Sequence, residues 1–231
     1  MIKYRVLITS VSGVFGPKNI DFMKESIKGD VWVLGVDKTH SYIAEQKADK
    51  FAIVPSGSSI SYINKICELI ELYNISLVLP CSDEEAINLS ENRIRIECAG
   101  ASLATADFSK IKIMSNKIST YELFSKSGID VPEFKVIRNV LDMHKYALSF
   151  YEERGSFVVK DAVARGNRGT VLVDKNINGK IDYMGSRELH VGWKYFNEKI
   201  IDESGGEFPK LITERLYKPA YDIDILAKNG K

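Results

Sequence analysis

Apolar runs alternate with helix-periodic segments through the first hundred residues. Arg5-Val6-Leu7-Ile8-Thr9-Ser10 is almost continuously apolar, as expected of a strand buried on both faces of a parallel sheet. It passes into the glycine turn Val11-Ser12-Gly13-Val14-Phe15-Gly16, and Ile20, Met23 and Ile27 then recur at helical spacing. Asp30–Asp37 reads as a second strand ending in an acid, and Phe51–Pro55 as a third. Ile63, Ile66, Leu69, Ile70 and Tyr73 place one apolar stripe on a helix over Tyr62–Tyr73. Ser76–Pro80 is a fourth strand stopped by proline, Glu84–Asn92 a further helix, and Cys98–Ala104 a short apolar closing segment. Strands and helices alternating at this pace predict a parallel, doubly wound sheet with its ligand crevice at the strand carboxyl ends.

The pattern changes beyond residue 106. Ile118, Tyr121 and Phe124 recur at helical spacing, Gly128 is a helix-ending residue, and Pro132 follows. Phe134–Ile137 is a short strand. Asp142–Arg154 is a helix with Met143, Tyr146, Ala147 and Phe150 on one face. Phe157-Val158-Val159-Lys160 and Val171-Leu172-Val173 then flank a short basic, glycine-containing segment, which reads as a hairpin. Tyr183–Glu203 reads as a helix-bearing insert before a last strand around Leu211–Leu216. This is α+β order, so a domain boundary is placed near residue 106.

Composition narrows the classes. The 231 residues are 45% hydrophobic and 27% charged, with 32 Lys+Arg against 31 Asp+Glu and a formal net charge of +1. Such a balance gives no reason to expect nucleic acid or an anionic membrane as the main partner. No apolar run is long enough to span a bilayer, and the N-terminal residues lack the apolar core of a signal peptide. Cys67, Cys81 and Cys98 are odd in number and lack Cys-x-x-Cys spacing, so they read as reduced core residues of a cytoplasmic protein. His40, His144 and His190 are scattered and read as structural.

Three stretches could carry chemistry. A lysine at the end of a strand beside a donor-rich loop can hold a polyphosphate, which fits Lys160 followed by Arg165, Gly166, Arg168 and Gly169. The same residues also suit a surface hairpin with a basic tip. The turn Ser10–Gly16 with strand-terminal Asp37 suggests a dinucleotide site. It has only two glycines and no G-x-G-x-x-G, so a tight strand-to-helix turn without cofactor is the better reading. In Pro80–Glu85, Ser82 or Asp83 reads as a helix N-cap followed by first-turn acids, in preference to a substrate contact.

The order Asn116-Lys117, a helix, Gly128–Pro132, Val158-Val159-Lys160, Arg165–Gly169 and Leu211–Leu216 resembles the ATP-grasp superfamily, and within it the carbamoyl-phosphate-synthase-like proteins. The resemblance implies a pre-ATP-grasp α/β domain over 1–106 and the N-terminal portion of an α+β ATP-grasp domain over 107–231. It implies that Lys117 and Lys160 approach the nucleotide phosphates and that Arg165, Gly166, Arg168 and Gly169 form the loop over them. Glu214 and Leu216 match the hinge that borders the adenine. An edge-strand acid is the alternative for Glu214, since Ile212 would share its face. The family's ribose-gripping acid falls at Ala220, so Asp222 or Asp224 would have to replace it.

The resemblance further implies Mg-ATP as cofactor, a small carboxylate as substrate, activation as an acylphosphate, and attack by an amine or other nucleophile. A homodimer is left open. Asn229-Gly230 after the alternating Asp222–Leu226 run is a hairpin signal whose return strand would lie past Lys231. The magnesium ligands are expected there too, so the chain reads as part of a larger enzyme, truncated before the metal-binding residues and inactive alone. The rival readings are a nucleotide-binding or interaction module without chemistry and a Rossmann-type oxidoreductase. The missing G-x-G-x-x-G counts against the last.

Overall fold

The computed structural model describes residues 3–27, 29–164, 166, 168–182, 188–201, 207–217, 219 and 221. They form two compact units, Met1–Ser115 and Asn116–Lys231. The division falls after the helix Phe108–Met114, so that helix belongs with the first unit.

In the first unit, strands β1 (Tyr4–Ile8), β2 (Val31–Asp37), β3 (Lys50–Ile53), β4 (Leu77–Leu79) and β5 (Ser102–Leu103) form one sheet in the order β3-β2-β1-β4-β5. Every adjacent pair is parallel. Val6–Ile8 of β1 are all apolar because both faces are covered there. Leu7 packs with Leu34, Val78 and the stripe Ile63, Ile66 and Ile70 of α3 (Tyr62–Tyr73). Val6 and Ile8 point the other way, to Val33, Ile20 of α1 (Gly16–Ser26) and Ala44 of α2 (Tyr42–Lys47). The doubly wound expectation holds.

The short helices α2, α5 (Arg93–Cys98) and α6 (Phe108–Met114) were not legible in the pattern, since each spans two turns or fewer. Between β4 and α5 lies α4 (Asp83–Glu91), and Ser82 is its N-cap, its hydroxyl accepting from Glu85 N–H. The Glu85 carboxylate does more than complement the dipole. Nearly buried, it accepts hydroxyl hydrogen bonds from Thr9 (2.6 Å), Ser10 (2.6 Å) and Ser82 (2.8 Å). It thereby ties the end of β1 to the start of α4. Asp37 accepts from the Ser12 and Thr39 backbone N–H groups, so the strand-terminal acid fastens the Ser10–Gly16 turn from within. That turn leaves no room for a Cβ at Gly16, which would strike the Val11 backbone.

The second unit holds α7 (Lys117–Lys126), β6 (Phe134–Ile137), α8 (Val140–Arg154), β7 (Ser156–Asp161), β8 (Thr170–Asp174), β9 (Lys180–Asp182), β10 (Glu188–Val191) and β11 (Lys210–Glu214). Between β10 and β11 lie the short helix α9 (Trp193–Tyr195) and a π-helical turn at Phe196–Ile200. The sheet order is β6-β11-β7-β8-β10-β9, antiparallel except for the β8–β10 pair. Its core face carries Phe157, Val159, Val173, Val191 and Ile212 against Met143, Ala147 and Phe150 of α8. Asn116 caps α7, accepting from the Ile118 and Ser119 N–H groups. Because β11 lies between β6 and β7, Glu214 is not an edge-strand acid. The expected terminal strand Asp222–Leu226 and its Asn229-Gly230 turn lie outside the described residues.

Replacing Glu85 with alanine strips three hydroxyls of their common acceptor. The first unit is expected to lose about 2–3 kcal/mol, read as faster amide exchange in β1 and a lower urea midpoint. Alanine at exposed Glu91 should change either by no more than about 0.5 kcal/mol.

Candidate nucleotide site

Strand alternation builds the site. With Phe157, Val159 and Ile212 turned into the core, the residues between them face the other way. Cross-strand register aligns Thr213 with Val158, Val158 with Leu172, and Leu172 with His190. The neighbouring row sets Leu211 beside Lys160 and Thr170 beside Glu188. These rows, Leu211 excepted, floor a cavity of about 640 Å³. Tyr121 of α7 and Pro132 line it as well, and Glu214-Arg215-Leu216-Tyr217 close one side.

Lys160 stands half-buried in that floor with no hydrogen-bond or ion-pair partner among the described residues. Burial pushes its ammonium below the ordinary lysine pKa, Lys117 adds to the depression by charge repulsion, and Glu188 opposes it. An ammonium held this way is a ready donor to an anion. Lys117 is placed differently. Its ammonium donates to the carbonyls of Ala164 (2.9 Å) and Asp161 (3.2 Å), and its own N–H donates to Ala162 (2.9 Å). It therefore anchors the start of the β7–β8 loop while adding positive charge near Lys160.

The loop closes on Gly169, which has φ +70° and sits so close to the Asp161 carboxylate that a Cβ would collide with it. Asp161 in turn accepts from the Lys210 ammonium at 2.5 Å. Gly166 is left-handed at φ +52°, and Arg168 is exposed. Arg165, Asp222, Asp224 and Ala220 lie outside the described residues.

The hinge is fastened through its side chains. Glu214 accepts from Glu133 N–H (2.8 Å) and from Arg154 (3.1 Å). Arg215 pairs with Asp174, and the Tyr217 hydroxyl lies 3.1 Å from that of Ser156. Ser156 and Asp174 are themselves register partners at the end of the β7–β8 hairpin. The backbone N–H groups of Arg215, Leu216 and Tyr217 have no hydrogen-bond partner among the described residues, so they remain available at the cavity rim. The structure thus brings Lys160, Glu214 and Leu216 around one cavity. Arg168 and Gly169 sit on the adjoining loop.

Sequence reading missed Tyr121, Glu188 and His190 as cavity residues. Tyr121 is four residues from Lys117 and so on the same helical face, a usable signal. Glu188 and His190 gave none, because β10 is only four residues long and pairs in parallel with β8. His190 lies 3.2 Å from the Glu188 carboxylate. Among the described residues no group of three or more His, Cys, Asp or Glu side chains could hold a metal ion. No described helix is long and apolar enough to cross a membrane.

Residues 6–104 match the family described as PylC-like, N-terminal domain. No curated protein matches the chain significantly. Among solved structures, the ADP complex of N5-carboxyaminoimidazole synthetase from Staphylococcus aureus superposes with TM-score 0.62 at 15% identity, covering 92% of this chain and 48% of that one. The L-amino acid ligase from Bacillus licheniformis gives TM-score 0.62 at 10% identity, covering 94% and 45%. The biotin carboxylase domain dimer of Hydrogenobacter thermophilus 2-oxoglutarate carboxylase, with MgADP, ADP and bicarbonate, gives 0.59 at 12%, covering 94% and 45%. The chain has the fold of the ATP-grasp superfamily. The PylC-like match falls within its first unit, and the chain spans about half the length of the structures it resembles.

Two measurements probe the floor and the loop. Gly169→Ala combines a left-handed backbone with a collision at Asp161, and is expected to destabilise the second unit by about 1–3 kcal/mol in thermal melts. For Lys160, the depressed native pKa means that the unfolded chain holds more protons between that value and the ordinary lysine value. Stability therefore rises with pH across that interval. Lys160→Met removes this contribution, so the variant should show a flatter alkaline pH dependence than the parent chain; equal slopes would count against a depressed Lys160.

Proposed function

We propose that the second unit binds ATP, as part of an ATP-dependent ligase that activates a small carboxylate. The observation that carries this is the Lys160 ammonium, unpartnered among the described residues, facing a cavity bordered by Arg215–Tyr217, whose backbone N–H groups have no partner among those residues either. The base would lie over Val158 and Leu172 with its edge against that rim. Lys160, Arg168 and the Gly166 and Gly169 backbone would meet the phosphates, with Lys117 holding the loop in place. The outlying candidates Arg165 and Asp222 belong to the same reading, for the phosphates and the ribose respectively.

In the reaction a carboxylate oxygen attacks the γ-phosphorus and ADP leaves with the bonding electrons. The lone pair of an amine or other nucleophile then attacks the acyl carbon, phosphate departs, and the nucleophile loses its proton. Magnesium, when bound, neutralises phosphate charge. The chain's own residues orient the nucleotide and offer fixed positive charge, which is where phosphoryl-transfer catalysis resides. Support also comes from the ADP-bound, MgADP-bound and ligase structures that share the fold. A cytoplasmic setting, where ATP is abundant, accords with the three free cysteines.

Calorimetry with ATP tests the reading. The chain is expected to bind ATP, and Lys160→Met to weaken binding by about tenfold or more, the worth of one charge-assisted phosphate contact. No binding by the parent chain, or equal binding by the variant, would reject it.

A further inference from the structure

We infer that Arg154, which does not itself line the cavity but pairs with Glu214 at its rim, is a positioning residue for the hinge. It is the last residue of α8, followed by Gly155 in a left-handed C-cap. Its two guanidinium nitrogens divide between two carboxylates: one pairs with Glu133 and the other with Glu214 at 3.1 Å. Glu133 and Glu214 are also joined through their backbones, Glu214 N–H to the Glu133 carbonyl at 2.9 Å and Glu133 N–H to the Glu214 carboxylate at 2.8 Å. Arg154 therefore closes a ring of contacts between the residue before β6 and the last residue of β11.

That ring sits where the chain leaves the sheet. Beyond Glu214 the ladder ends, and Arg215–Tyr217 have no backbone bonds of their own among the described residues. Arg215 is held through Asp174 and Tyr217 through Ser156, while Glu214, from which they depart, is held by its backbone bond to Glu133 and by Arg154. Of these, Arg154 holds the residue from which the hinge departs. Without it, two carboxylates would face each other across a paired backbone with no cation between them. Glu214 would be repelled, and the rim N–H groups would swing with it. The side chains of Arg154 and Glu133 are 40% and 42% exposed, so the effect belongs to geometry more than to global stability.

The inference builds on the nucleotide-binding reading, but its primary test does not need nucleotide. Hydrogen exchange is measured on the free 231-residue chain and on Arg154→Gln and Arg154→Lys. Exchange at the Glu133 and Glu214 amides, each bonded to the other residue within the ring, is expected to quicken about three- to tenfold in Arg154→Gln, while β7 and β8 amides stay unchanged. Arg154→Lys keeps the cation at the helix C-terminus but lacks the fork that reaches two carboxylates, so it should behave like Arg154→Gln. Unchanged hinge exchange in Arg154→Gln, or full restoration by lysine, would overturn the inference. In parallel, binding of a non-hydrolysable ATP analogue should fall about three- to tenfold in both variants, with a narrowed preference for adenine over guanine nucleotides. If the parent chain binds no nucleotide while hinge exchange still responds to Arg154, the positioning role stands and the nucleotide reading falls.

Discussion

The two-residue alternation of the β11-β7-β8 ladder governs the second unit. One set of residues, Ile212, Val159 and Val173, must be buried against α8 for the unit to have a core. The intervening set, Thr213, Val158, Lys160, Thr170 and Leu172, is thereby committed to the opposite face and becomes the cavity floor. A slip of one residue would exchange the two sets, exposing the apolar residues and burying a lysine in the core. Core burial and the placement of Lys160 are consequences of a single register.

The same ladder explains why the chain leaves the sheet after Glu214. Antiparallel pairing satisfies the backbone of β11 up to Glu214 and then stops. Of the next three residues, Arg215 pairs with Asp174 at the end of β8 and Tyr217 meets Ser156 at the start of β7, and none of their N–H groups has a backbone partner among the described residues. Free backbone donors beside an apolar floor and a desolvated cation suit a flat, polar-edged base joined to an anion. In the first unit polar groups at strand ends are instead satisfied internally. Asp37 and Glu85 each take donors from neighbouring turns, which makes them fasteners of the fold.

Helical spacing and strand alternation made most elements legible, including α3 at Tyr62–Tyr73 and β6 at Phe134–Ile137. Elements of two turns or fewer left no period to detect, and α2, α5 and α6 were missed for that reason. The candidate site was legible as an ordered set of motifs rather than as geometry. Lys160 stood out because a lysine ending a β-branched run is anomalous. His190, Glu188 and Arg154 did not, because an ordinary helix end or a four-residue strand gives no cause for suspicion. Lys117 shows the limit differently: its identity was noticed, but only the fold shows its ammonium on the Asp161 and Ala164 carbonyls.

The sequence by itself determined the doubly wound first unit, the change of pattern in the second half, the β7–β8 hairpin with its basic glycine loop, and the candidate Lys160. These follow from local rules, since periodicity and turn chemistry act over a few residues; Glu214 and Leu216 came from the resemblance that the ordered motifs carry. The tertiary structure alone decided that β11 inserts between β6 and β7, that Glu214 turns to Arg154 and Glu133, and that Glu188 and His190 arrive beside Thr170 and Leu172. Those outcomes depend on pairings between residues about 20 to 80 positions apart, set by burial of the whole sheet rather than by any segment of it.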